Sequence, residues 1–135
     1  MQSLYTPFKE SLLSQNPSVD LDTDTIKLAL VNTGTDYTFS ASDQFMSSVS
    51  SYSGTTDQTL ANKTVAGGVF DNTADITFTA VAIDGSKTVD AVVLYKDTGV
   101  AGTSPVIAYF DLPAAITPNG TDIIITPNAS GFFAL

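Results

Sequence analysis

The sequence predicts a mainly β fold, either an antiparallel β-sandwich or a small barrel, with one or two short helices. Three observations lead to this class. Strand-like runs occupy much of the second half of the chain, at 74–83, 87–95, 104–112, 121–126 and 131–135. Turn residues separate these runs. No helical pattern of about 10–15 residues lies between them, as the crossovers of a parallel sheet would require.

The N-terminal segment predicts one short helix. Thr6 is expected to cap it and Pro7 to take the first helical position, where its missing N–H costs nothing. Phe8 and Leu12, four residues apart, then share one face. Pro17 disfavours helix in the residue before it, so we expect the helix to end there.

The segment 25–32 alternates as a half-buried strand does, with Ile26, Leu28 and Leu30 on one face. Residues 40–52 predict a second, surface helix, because Phe45, Val49 and Tyr52 fall at helical spacing there.

Residues 53–68 are rich in Ser, Thr and Gly and predict a loop or a short edge strand. Asp84-Gly85 and Asn119-Gly120 are hairpin-turn dipeptides. We therefore expect the runs on either side of Asp84-Gly85 to pair with each other.

The length of 135 residues suits one domain with its own core. We expect a single β-sandwich domain over 1–135, in which 1–24 is a helical or extended N-terminal segment. The N-terminus lacks the apolar run of a signal peptide, and no stretch approaches the length of a membrane span.

Composition excludes several kinds of chemistry, because the chain has no His, Cys, Trp or Arg. It therefore lacks the groups for a Ser-His-Asp or Cys-His nucleophile, a His/Cys zinc site or a disulfide framework. The net charge of −9, from fourteen acids and five lysines, opposes direct nucleic-acid binding. We expect no enzymatic activity and no cofactor.

One acidic stretch resembles part of a calcium loop. Asp20, Asp22 and Asp24 copy the first three ligand positions of an EF-hand. Thr25 and Val31 stand where that loop needs Gly and Glu. The three acids are therefore only a weak metal candidate, and exposed acids in a connector are the favoured interpretation.

Two other patterns suggest enzymatic or binding functions. Asp97-Thr98-Gly99 matches the aspartic-protease triplet, but Lys96 stands where that site needs an apolar residue, so an ordinary turn is favoured. A carbohydrate-binding module would need an exposed, aromatic-lined face. The candidates for that face are Tyr5, Tyr37, Tyr52, Tyr95 and Tyr109.

Four stretches together resemble a family of small structural proteins of tailed bacteriophages. They are LYTPFKESLL, DLDTDTIKLALVNT, AVVLYKDTGVAGTSPVIAYFDL and IIITPNASGFFAL. The resemblance lies in the order of these stretches and in their residue types, and it is weakest between about residues 36 and 75.

The resemblance implies a non-enzymatic, β-rich virion protein. The role that it implies first is that of a capsid decoration (cement) protein, which is made in the host cytoplasm and binds the outer surface of the head. A tail component is the alternative. The implied partners are the major capsid protein and further copies of the chain, and lattice symmetry favours a trimer. Neither nucleic acid nor a membrane is implied as a partner.

The apolar chain ends are the candidate contact residues for the partner, because exposed apolar ends lower solubility. These residues are Leu4, Tyr5, Phe8, Phe132, Phe133 and Leu135. The alternative, which is favoured, is that both ends pack on the chain's own sheet, with 131–135 as a last strand.

Overall fold

The structure, a computed structural model, describes residues 2–14 and 18–135. The strands are β1 Gln2–Leu4, β2 Ile26–Val31, β3 Gln58–Thr59, β4 Lys63–Ala66, β5 Val69–Asn72, β6 Ile76–Phe78, β7 Val89–Lys96, β8 Val106–Ile116, β9 Ile123–Ile125 and β10 Phe133–Ala134. The helix α1 spans Thr6–Leu13, and short 3-10 turns lie at Met46–Ser48 and Ala101–Thr103.

The strands form antiparallel sheets, which confirms the predicted mainly β class. The central sheet has five strands in the order β1-β8-β7-β2-β3. A three-stranded sheet has the order β10-β5-β4, and β6 pairs with β9. In the described part of the chain no sheet closes on itself, so the barrel alternative is wrong.

The two faces of the central sheet are distinguished by neighbouring residues of β8. Alternate residues of a strand point to opposite faces, and cross-strand partners share one. Tyr109 is paired with Val93, and Phe110 with Val92. We call the side of Tyr109 and Tyr95 the tyrosine face, and the side of Phe110 the phenylalanine face.

An irregular segment, residues 33–57, covers the tyrosine face. Phe39 lies against Tyr109 with 4.8 Å between ring centroids, and Tyr37 lies 6.3 Å from the same ring. At the other end of the segment, the Tyr95 hydroxyl donates to Asp57.

The three-stranded sheet and α1 cover the phenylalanine face. Phe132 lies 5.8 Å from Phe110 and 5.9 Å from Phe70 between ring centroids. Phe8 of α1 meets Phe133 edge-on at 6.0 Å. Both faces of the central sheet are therefore buried, and β2 is fully buried from Leu28 to Val31.

This double cover corrects the prediction for 25–32. The strand is confirmed, but it is buried on both faces rather than one. The alternating pattern did not reveal this, because its second face carries Ala29 and Val31, which suit either environment.

The helix predicted over 40–52 is wrong. Only the 3-10 turn Met46–Ser48 forms there, while Met46, Val49 and Tyr52 are buried. The backbone of this segment bonds to its neighbours instead, since the Met46 N–H donates to Ser104 and the Tyr52 N–H to Leu30. Serine is a weak helix former, so these tertiary bonds prevail.

The hairpin across Asp84-Gly85 is also wrong. β6 pairs with β9 rather than β7, and the backbone of Val81 exchanges hydrogen bonds with Gly120 and Thr121. Gly85 has a φ of +57°, but Asp84 lacks the positive φ that a type I′ turn requires. The positive φ values that a type I′ turn requires occur instead at Gly67 (+60°) and Gly68 (+78°). This turn joins β4 to β5, a strand that the sequence analysis did not predict.

The N-terminal helix is confirmed with a shift of one residue. Thr6 lies inside α1 and Tyr5 is the N-cap, without a side-chain capping bond. The predicted stop at Pro17 lies outside the described residues.

Candidate functional site

The candidate contact residues at the chain ends are mostly part of the core. Leu4 is half-buried and packs against the core, and Leu135 is 73% exposed. The other four are buried: Tyr5, Phe8, Phe132 and Phe133. The last strand β10 pairs with β5, so the predicted packing alternative is confirmed for these four side chains.

The acidic stretch forms a closed turn. One oxygen of Asp20 accepts the N–H groups of Asp22 and Thr23 at 3.0 and 3.2 Å. Hydrogen bonds from Thr23 and then Asp22 hold the pKa of Asp20 below its ordinary value. Asp24 accepts the N–H of Asp20 at 2.7 Å and pairs with Lys96 at 3.0 Å.

A second lysine completes this turn, since Lys63 donates to the backbone carbonyl of Asp24. Lys63 and Lys96 therefore supply positive charge to this acidic turn, as a bound metal ion would do. Across residues 2–14 and 18–135, no group of three or more acidic side chains is arranged to hold a metal ion.

The Asp97-Thr98-Gly99 triplet forms a turn between β7 and β8. Asp97 pairs with Lys27 at 2.9 Å and accepts the Gly99 N–H at 2.9 Å. The Lys27 ammonium, and then the Gly99 N–H, hold the pKa of Asp97 below its ordinary value. A protease carboxylate needs a shared proton in apolar surroundings, whereas this carboxylate is held ionised.

The five tyrosines do not form an exposed face, because Tyr5, Tyr37, Tyr52, Tyr95 and Tyr109 are each at most 6% exposed. The tyrosine-lined glycan surface considered from the sequence is therefore wrong.

Tyr37 instead joins two groups inside the protein. It donates to Asp43 at 2.6 Å and lies 2.9 Å from the hydroxyl of Tyr5. Since the Tyr37 proton goes to Asp43, the Tyr5 hydroxyl is the donor to Tyr37. Burial, and then the bond to Asp43, raise the pKa of Tyr37 to about 12.

Two further tyrosines also donate to carboxylates. Tyr95 donates to Asp57 at 2.5 Å, and Tyr109 to Asp111 at 2.8 Å. Burial raises the pKa of both hydroxyls, and the carboxylate partners add to the rise. These bonds tie the tyrosine face to its cover and to the end of β8.

Four of the five lysines bind acidic or carbonyl groups within the chain. Lys87 pairs with Asp36 at 2.8 Å and Asp84 at 2.9 Å. Lys27, Lys63 and Lys96 have the partners given above. These four lysines are therefore paired within the chain, and the fourteen acids outnumber the five lysines.

An open groove of about 630 Å³ lies among the described residues. We call it the C-terminal groove. Phe110, Leu112 and Pro113 of β8 line one side, and residues 125–134 line the other. Its apolar floor includes Val92 and Phe132, and the exposed polar residues at its rim are Asp111, Thr126, Asn128 and Ser130.

A bulge in β8 forms one wall of this groove. Ala91 pairs with Asp111 and Val89 with Ile116, so five steps along β8 match two along β7. The residues between, 112–115, leave the ladder, and Pro113 among them has no N–H to donate to it.

A tight turn fixes the other wall. Asn128 accepts the N–H of Ser130 at 2.9 Å through its side chain and that of Gly131 at 2.8 Å through its carbonyl. Gly131 has a φ of +92°, and a Cβ there would lie 2.4 Å from the Val69 side chain. The backbone therefore approaches β5 as closely as glycine allows.

The sequence analysis missed the C-terminal groove. Its available signal was Pro113, since proline inside a strand-like run marks a bulge or an edge. The predicted strand 104–112 stopped just before it.

The chain matches no protein-family model and no curated protein. In the described part of the chain, no helix has the length and apolar character to cross a membrane.

Proposed function

We propose that this chain is a non-enzymatic structural protein of a tailed-bacteriophage particle, a decoration protein that binds the outer surface of the major capsid protein lattice. The observation that carries the proposal is the place of the four stretches that resemble such proteins. They form the framework of the fold rather than the lining of a catalytic cleft.

The first two stretches build the N-terminal half of this framework. LYTPFKESLL supplies part of β1 and all of α1, and its Tyr5 and Phe8 enter the core. DLDTDTIKLALVNT supplies the closed acidic turn and then β2, the buried strand that pairs with β7.

The last two stretches complete the framework. AVVLYKDTGVAGTSPVIAYFDL contains most of β7 and β8, the central hairpin of the five-stranded sheet. IIITPNASGFFAL supplies β9, the groove wall and β10. A set of proteins that share these stretches would share this fold, which supports the resemblance as one of architecture.

The physical character of the chain suits attachment to a lattice. Decoration requires many copies that stay soluble before assembly, and a charge of −9 opposes self-association. Attachment at many equivalent positions provides avidity without any one strong site. The buried core contains no cysteine, so thiol oxidation does not affect it outside the cell.

The test is the copy number of this protein relative to the major capsid protein in purified particles, measured by quantitative mass spectrometry. Decoration predicts a ratio near one or a simple fraction of it. A few copies per particle would replace decoration with a tail component. Complete absence from particles would overturn the virion proposal.

A heat challenge tests the stabilising role. Particles that lack the protein should release their genome at a lower temperature than complete particles, and adding back the purified chain should restore the difference. Adding back a heat-unfolded sample of the same chain is the matched control. Equal release temperatures for complete and depleted particles would contradict a cement function.

A further inference from the structure

We propose that the C-terminal groove is the docking site for an extended, positively charged segment of a partner protein, whose apolar side chains fill the groove. The inference rests on the proposed function, because it names the surface and the chemistry by which the chain would bind the capsid protein. Three observations support it: the shape of the groove, the bulge residues of β8 that have no register partner, and the charge of the chain.

The shape of the groove fits a chain segment. A volume of about 630 Å³ lies within the roughly 300–1,000 Å³ that binding clefts occupy, so several side chains can enter. The floor is apolar, with Val92 buried and Phe110 half-buried. Apolar side chains on such a floor would remove both surfaces from water, which is favourable.

The bulge offers backbone groups to an extended segment. Residues 112–115 pair with neither β7 nor β1 in the described part of the chain, because β1 ends opposite Phe110. Each unpaired N–H and C=O of a strand is a site at which another chain can add hydrogen bonds. An extended segment satisfies such groups while its alternate side chains point into the groove.

The charge of the chain determines the sign of the occupant. The lining of the groove includes no lysine. The net charge of −9 already includes all five lysines, and Lys27, Lys63, Lys87 and Lys96 each bind a group of their own chain. A lysine- or arginine-bearing segment is attracted to this surface, and an acidic one is repelled.

Two other occupants fit less well. A small ligand requires buried, well-placed polar groups to orient it, but Thr126, Asn128 and Ser130 are exposed and the Asn128 side chain already binds Ser130. A second copy of this chain would bring another charge of −9 to the interface. The cationic segment is the occupant that shape and charge both favour.

The experiment is an NMR titration of the isotope-labelled full chain with a short synthetic peptide that alternates lysine and valine and is blocked at both ends. We expect saturable shift changes at residues 110–113 and 125–134. A peptide that alternates glutamate and valine is the matched control and should produce none. Absence of saturable changes at these residues with the lysine peptide would overturn the inference.

A pair of variants separates the groove from general attraction to acidic surface. Ser130→Arg places a cation at the groove rim, and Ser50→Arg makes the same charge change at an exposed position outside the lining. Ser130→Arg should weaken peptide binding at least about tenfold, while Ser50→Arg changes it little. Equal weakening by the two variants would show non-specific attraction, and unchanged melting temperatures confirm that both fold.

Hydrogen exchange measured on particles tests this inference separately from the proposed function. Hydrogen exchange of the chain bound to particles should be slowed at 110–116 and 125–134 relative to the free chain. Presence on particles with these amides unprotected would overturn the groove and leave the virion function intact. Absence from particles together with specific peptide binding would overturn the function and leave the groove. A dimer that protects these amides in the free chain would make the groove a self-interface.

Discussion

The two faces of the central sheet are covered in different ways. An irregular segment covers the tyrosine face, and its side chains are held by hydroxyl–carboxylate bonds such as Tyr37 to Asp43 and Tyr95 to Asp57. A regular sheet covers the phenylalanine face, and the contacts between the two layers are apolar contacts between phenylalanine rings. Both covers bury the same sheet.

The difference shows what each kind of cover requires. A sheet satisfies its own backbone groups through its ladder, so apolar packing is enough to attach it. An irregular segment has few ladder bonds and many possible conformations, and directional side-chain bonds select one of them. We expect the phenylalanine face to respond most to lost volume, and the tyrosine face to lost hydroxyls.

The largest effect is expected from Phe70→Ala. Phe70 is 2% exposed and contacts the rings of both Phe132 and Phe133. Its removal leaves a cavity between the layers and should cost about 3–5 kcal/mol in the free energy of unfolding, measured by chemical denaturation. Phe39→Ala, at a half-buried ring of the tyrosine face, is the comparison and should cost less. Equal losses would contradict the contrast between the faces.

Tyr37→Phe tests the other face. The variant keeps the ring but removes the hydroxyl between Tyr5 and Asp43, which leaves the buried Tyr5 hydroxyl without its acceptor. The free energy of unfolding should fall by about 1–3 kcal/mol. Adding Tyr5→Phe should cost little more, since it removes the stranded group. A wild-type stability in Tyr37→Phe would show that the hydroxyl does not hold the cover.

Alkaline pH should weaken the tyrosine face first. The pKa of Tyr37 rises on folding from 10.0 to about 12, so the folded chain keeps a proton that the unfolded chain releases. This stabilisation is complete below pH 10.0 and is lost as the pH rises through about 12. Denaturation midpoints measured across this window should fall, and the fall should be shallower in Tyr37→Phe. A parallel fall in both proteins would contradict the assignment.

The smallest effect is expected at Ala80, in the loop that follows β6. Ala80 has a φ of +49°, a left-handed conformation that disfavours residues with a Cβ. Its N–H donates to Asp122 at 2.8 Å, which holds the backbone in place. Ala80→Gly should raise the free energy of unfolding by about 0.5–1 kcal/mol, because relief of strain exceeds the added freedom of the unfolded chain. Ala82→Gly, nearby and at negative φ, should instead destabilise.

The sequence predicted the strands better than their partners. Runs such as 87–95 are rich in β-branched residues, and their local pattern is enough to predict a strand. The pairing of β6 with β9 depends on contacts more than forty positions apart, which periodicity does not report. The short strand β5 was missed because its four residues include Asp71 and Asn72, which are rare in strands.

For the site residues too, local features were predictable from the sequence and long-range partners were not. The acidic turn and the Asp97 turn were predicted as structural from their local mismatch with calcium and protease motifs. The partners of the lysines were not predictable, since Lys87 meets Asp36 from 51 positions away. The groove needs β8 and the C-terminal segment side by side, and only the folded chain brings them together.

The positions of the lysines also determine how readily a digestive protease can cleave the folded chain. An enzyme that cuts after basic residues can cleave this chain only at its five lysines, because it has no arginine. Lys9 lies in α1, Lys27, Lys63 and Lys96 lie in strands, and Lys87 is held by two carboxylates. Cleavage requires a mobile, extended segment, so each site first has to unfold locally. Trypsin digestion would therefore depend on the opening of the folded chain at these lysines, and the folded protein would persist where such proteases are abundant.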